Sequence, residues 1–91
     1  MSDNKFLIGS IVSDLRRASL YMHLGSLSTA SHFAHEAIET KKRVNMEMIS
    51  PHVARILEET EKTLKKPDGD HKAEDILMYS ILLQNFAQKY I

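Results

Sequence analysis

The sequence predicts an all-α fold, a small antiparallel bundle of about four helices completed or extended by dimerisation, and three observations carry that prediction. Apolar residues recur at spacings of three and four through most of the chain, the signature of amphipathic helices. Breakers are few, with three glycines and two prolines in 91 residues. Gly25, Pro51, Pro67 and Gly69 fall between the periodic stretches and mark their ends. A chain of this length holds one domain, residues 1–91, and buries only about 60 to 65% of the surface that it exposes when unfolded.

The first helix is expected over residues 5 to 24, where Leu7, Ile8, Ile11, Leu15, Ala18 and Met22 share one stripe. Phe6, Leu20 and Leu24 make a second apolar strip on it. Gly25 suits the position just past a helix end, and Ser26 or Ser28 can cap the next helix.

Leu27 to Arg43 reads as the second helix, with Leu27, Ala30, Phe33, Ala34, Ala37 and Ile38 on one face. Lys41, Lys42 and Arg43 fall in its last turn, where cations complement the helix dipole. An alanine-rich face lets a neighbour approach closely, with Phe33 as its bulky contact. Val44 to Ile49 is a connector whose methionines, Met46 and Met48, fill gaps beneath it.

Ser50-Pro51 opens the third helix, because serine is a preferred N-cap and proline at the first helical position gives up an amide that would be unpaired anyway. Val53, Ile56, Leu57, Thr60 and Leu64 form its inner stripe, and Glu58 with Lys62 and Glu61 with Lys65 are outward pairs. Pro67-Asp68-Gly69 breaks it. Asp70 caps a fourth helix that runs to about Lys89, with Ala73, Ile76, Ser80, Leu83, Ala87 and Tyr90 facing the core. Leu77, Met78, Ile81 and Leu82 carry apolar surface around much of the remaining circumference. Such a helix is either central or meets a second chain.

Composition narrows the function classes. With 12 Lys and Arg against 12 Asp and Glu the formal charge is zero, so no global field draws the chain toward nucleic acid or anionic lipid. Cysteine is absent, which excludes disulfides, thiolate metal sites and a cysteine nucleophile. Neither a signal peptide nor a run of about 20 apolar residues is found, so a cytoplasmic protein without membrane contact is expected.

Three constellations bear chemistry. His32, His35, Glu36 and Glu39 form H-x-x-H-E-x-x-E on one helical face, and His with Glu one turn apart are potential ligands for zinc or iron. That face lies opposite the alanine stripe, which favours a solvated surface with His32–Glu36 and His35–Glu39 pairs. Phe33-Ala34-His35-Glu36 resembles the histidine-then-acid phosphoacceptor helices of two-component signalling, although no basic residue and proline follow the histidine. Arg17 and His23 stand at an R-x(5)-H spacing that resembles small helical ribonucleases of the HEPN group. Here Ala18 replaces the customary polar residue, and the motif lies in the first helix rather than a late one.

The reading that follows is a non-enzymatic interaction or regulatory module, acting as a homodimer through Leu77, Met78, Ile81 and Leu82 with Phe6, Leu20 and Leu24. Its partners are itself and another protein, and no cofactor is called for. The alternatives are a nucleic-acid-binding regulator, or a phosphotransfer or nuclease enzyme using His35 or Arg17 with His23.

Overall fold

Each stretch with a three- to four-residue apolar period is helical in the computed structural model, which describes residues 3–69 and 71–90, with side chains as far as Phe86. The elements are α1 (Asn4–His23), α2 (Leu27–Arg43), α3 (Pro51–Lys65) and α4 (Lys72–Tyr90), with one 3-10 turn, Met46–Met48, between α2 and α3. Together they form a four-helix bundle. The expected cap Asp70 lies outside the described residues, as do the side chains of Ala87 and Tyr90.

The chain stops and restarts its helices by local chemistry. Asp3 caps α1, its carboxylate accepting the Phe6 N–H at 3.0 Å. At the other end Gly25 takes φ +78°, a left-handed conformation that L side chains rarely adopt. Two bonds close that end, Gly25 N–H to the Met22 carbonyl at 3.1 Å and Ser26 N–H to the Tyr21 carbonyl at 2.9 Å, the Schellman pattern.

That turn also explains a correction. Ser26 stands at the N-cap of α2 and its carbonyl accepts from Ala30 N–H, but its hydroxyl makes no capping bond. The residue closes α1 as well as opening α2, and its backbone, at φ −89° and ψ 74°, serves the reversal between them. Ser28 lies inside α2.

Ser50 behaves as expected. Its Oγ accepts the Val53 N–H at 3.2 Å, and Pro51 follows at the first position of α3. Ser50→Ala is expected to cost about 1 kcal/mol and to lower the melting temperature by roughly 4 to 8 °C, read by circular dichroism.

Buried apolar side chains from α1, α3 and α4 meet in one cluster: Ile8, Ile11 and Leu15; Val53 and Leu57; Ile76 and Leu83. From α2 come mainly alanines, Ala30, Ala34 and Ala37, so this helix lies close against α1 and adds little volume. Hydroxyls on the inner stripes are satisfied within their own helices. Thr60 donates to the Ile56 carbonyl at 2.7 Å and Ser80 to the Leu77 carbonyl at 2.6 Å.

α1 packs against both α2 and α4, α4 packs against both α1 and α3, and α2 meets α3 only loosely. Neighbours run antiparallel. Ser19 Oγ, late in α1, donates to the Ala73 carbonyl, early in α4, at 2.9 Å. The ring of His52, first turn of α3, stands edge-on to Phe86 near the end of α4, with centroids 4.5 Å apart.

The loose α2–α3 seam is bridged by charge. Lys41 reaches across from α2 to Glu58 at 3.0 Å and Glu61 at 2.6 Å, and Lys65 binds the other oxygen of Glu61 at 2.7 Å. The expected Glu61–Lys65 pair is therefore present, whereas Glu58 pairs with Lys41 and Lys62 lies 3.7 Å from Glu59. Lys41 wins Glu58 because its ammonium is largely screened from water by the two helices that it joins. Burial alone would lower its pKa, but the hydrogen bonds to Glu61 and Glu58 outweigh that and raise it.

The hydrogen bonds from Lys41 and Lys65 hold the Glu61 carboxyl down at about 2, from an ordinary 4.5. A carboxylate whose pKa is depressed by folding contributes stability that is fully present above its unfolded value and is lost as pH falls through the folded one. Acid titration should therefore remove this contribution between about pH 4.5 and pH 2. Solvent screening reduces it to about 1 kcal/mol. Glu61→Gln should flatten the pH dependence of urea unfolding over that interval.

In the α2–α3 connection Val44 and Ile49 take the buried places, Met46 packs partly against the core, and Met48 is 73% exposed. The gap-filling role expected of both methionines thus belongs to Met46 alone, because the tight 3-10 turn carries Met48 outward.

Candidate interaction surface

α4 separates its residues by direction. Ala73, Ile76, Ser80 and Leu83 point into the bundle, while Leu77, Met78 and Ile81 are 40, 45 and 47% exposed. With Glu74 and Leu82 these three line an open, almost wholly apolar depression of about 300 Å³. Leu82 differs from its neighbours in being half-buried against the core. Lying between α1 and α3, α4 leaves this outer side uncovered by the rest of its own chain.

α1 presents the second strip. Phe6, Leu20 and Leu24 are each more than half exposed, and Leu27 at the start of α2 continues it. Gly9 lies on the exposed side of the same helix, and a Cβ there would meet nothing within 4 Å.

The polar face of α2 is as solvated as its position opposite the alanines implies. His32, His35, Glu36 and Glu39 are all exposed. Glu39 binds Lys42 at 2.7 Å rather than pairing with His35, and that hydrogen bond lowers its pKa. Among the described residues no group of three or more His, Asp or Glu converges to hold a metal ion.

The structure does not bring Arg17 and His23 together. Arg17 lies 3.6 Å from Asp14, and its guanidinium sits over the Phe33 ring at 5.6 Å. Tyr21 stacks on the same ring at 5.8 Å, and His32 meets it edge-on. Phe33 is thus the bulky contact expected on the α2 face, whereas its partners Arg17 and Tyr21 come from the flank of α1, outside the apolar stripe. Burial pushes the Asp14 carboxyl up, with Arg17 opposing the rise. His23 lines a separate cleft with Asp68, Gly69 and Lys72, where the α1–α2 and α3–α4 connections meet. The Lys72 ammonium is committed there to the Lys66 carbonyl at 2.6 Å and to Asp68 at 3.3 Å.

Among the described residues no helix is long and apolar enough to cross a membrane. No protein family, curated protein or solved structure matches the chain. Fold and surface together define a small all-helical domain with no metal-ligating cluster among its described residues and an exposed apolar depression on α4.

Proposed function

We propose that this chain is an interaction module that works as a homodimer through the outer side of α4, and that in this form it engages another protein in a regulatory or scaffolding role. The observation that carries the reading is the depression lined by Leu77, Met78 and Ile81. Each such side chain is worth roughly 1.5 to 3 kcal/mol when fully buried, and contiguous exposed apolar surface of this kind marks contact sites. With zero formal charge the chain has no net repulsion between copies to oppose association.

Light scattering coupled to size exclusion tests the proposal. At micromolar concentration the wild-type protein should elute at twice the mass of one chain. Ile81→Glu should give a monomer with wild-type helix content and little loss of melting temperature, since Ile81 faces solvent within its own chain and glutamate is a good helix former. Leu82→Glu is the poorer probe because Leu82 also packs on the core. A wild-type protein that stays monomeric at high concentration would overturn the reading.

A further inference from the structure

With no cysteine in the chain, methionine carries its only sulfur. Among the described residues those sulfurs fall into two kinds. Met22 and Met46 pack partly against the core, where oxidation to the polar sulfoxide would disturb the bundle itself. Met48 and Met78 are 73 and 45% exposed, and of these two only Met78 stands in the apolar depression on α4. That depression offers nothing to a polar group. Its other lining residues are Glu74, Leu77, Ile81 and Leu82, and none of these side chains donates a hydrogen bond, since an ionised carboxylate only accepts. A two-fold contact brings the same residues up from the other copy, so it brings no donor either.

We infer that Met78 is a modification site for hydroperoxides, and that its sulfoxide keeps apart the copies that the thioether lets join. This deepens the proposed function and rests on it. The sulfur lone pair takes the outer oxygen of the peroxide and the O–O bond breaks. The proton of that oxygen moves to the departing one, which leaves as an alcohol, or as water when the oxidant is hydrogen peroxide. Sulfur loses two electrons and the peroxide gains them. In the separated chain the new oxygen sits at an exposed position and is hydrated, so the fold keeps its stability. In the joined pair it is buried without a donor, once on each side of the two-fold axis. Two unsatisfied acceptors should weaken the contact at least about tenfold. The reaction runs through the separated chain, because the contact covers the sulfur, and oxidation therefore withdraws chains from pairing. Methionine sulfoxide reductases restore the thioether.

Hydrogen peroxide treatment of the full-length protein, followed by light scattering and peptide mass spectrometry, tests the inference. At a concentration just above its own dimer Kd, wild type carrying the sulfoxide at Met78 should elute at the mass of one chain, with helix content and melting temperature close to those before treatment. Met78→Leu keeps the apolar volume without the sulfur and should stay at twice that mass under the same treatment. Met78→Gln places a polar group there without any oxidant and should be folded and monomeric. Met48, outside the depression, is the internal reference: as protein concentration rises, Met78 should oxidise more slowly and Met48 should not. Sulfoxide at Met78 in a species that keeps the doubled mass would overturn the inference while leaving the dimer standing. So would a Met78→Leu protein that dissociates on treatment as wild type does. Untreated wild type at the mass of one chain would instead remove the proposed function itself, so the two failures are distinguishable.

Discussion

Leu15→Ala is expected to cost about 3 to 5 kcal/mol, the upper part of the range for emptying a buried leucine site. Leu15 is 0% exposed and sits in the helix that packs on both α2 and α4. Relaxation could shrink the cavity only if a neighbour moved in. On the α2 side the buried neighbours are alanines, which have no further atoms to extend, and on the other side Ile76 and Leu83 are held by α3 as well. A domain of this size has on the order of 5 to 10 kcal/mol in total. The melting temperature should thus fall by roughly 15 to 30 °C, read by circular dichroism alongside urea unfolding. Leu20→Ala, on the exposed side of the same helix, supplies the contrast and should change the stability of the single chain little. A loss under about 1 kcal/mol for Leu15→Ala would mean that the core collapses around the hole, contrary to the close packing described.

Asn4→Ala is expected to cost about 1 to 3 kcal/mol, more than its place at the first turn of a helix would suggest. The side chain is 8% exposed and pairs with the backbone of Asn45 twice, donating from Nδ2 to the carbonyl at 2.9 Å and accepting the amide at 2.9 Å. Truncation leaves the partly buried Asn45 N–H unsatisfied, with a desolvation penalty of about 1 to 3 kcal/mol that water entering the gap only partly relieves, and takes one of two donors from the Asn45 carbonyl, which keeps the Met48 N–H at 3.1 Å. Asn4→Asp separates this account from a simple loss of packing. A carboxylate preserves the shape and still accepts the Asn45 amide, but it has no N–H for the carbonyl and repels it. Stability for Asn4→Asp near that of Asn4→Ala, with amide exchange at Asn45 faster in Asn4→Ala than in Asn4→Asp, is the expected result. Wild-type stability in Asn4→Asp would show that the paired bonds contribute little.

These two residues also mark what a one-dimensional pattern carries. Leu15 was legible because helix period alone puts it in line with Ile8 and Ile11, and the same reasoning found the surplus apolar residues of α4, while the chemistry of helix ends found Gly25 and Ser50. Asn4 was not, since its partner is distant in sequence and nothing near Asn4 signals that the α2–α3 connection will pass over it. Lys41 fails for the same reason. Its sequence neighbours suggest a dipole effect, whereas its partners lie on α3. The Leu82 and Ile81 pair is subtler. Both are large and aliphatic and adjacent, and only the side from which α3 approaches decides that Leu82 is half-buried and Ile81 exposed. Period identifies which residues are apolar together, but the direction of the neighbouring helix decides which of them are covered.

The position of α1 between its sequence neighbour and the distant α4 has a consequence for how the chain folds as it is synthesised. Once the connection after α2 has left the ribosome, the reversal at Gly25 can set α1 against α2, and half of the spine is protected. The other flank of α1, including Ser19, whose hydroxyl bonds to Ala73, has no cover until α4 has been made. Translation proceeds at about 5 to 20 residues per second, so for several seconds the nascent chain displays an apolar flank that the finished bundle hides. Slowing translation between α2 and α4 should lengthen that exposure and increase capture by chaperones, without altering the stability of the completed protein.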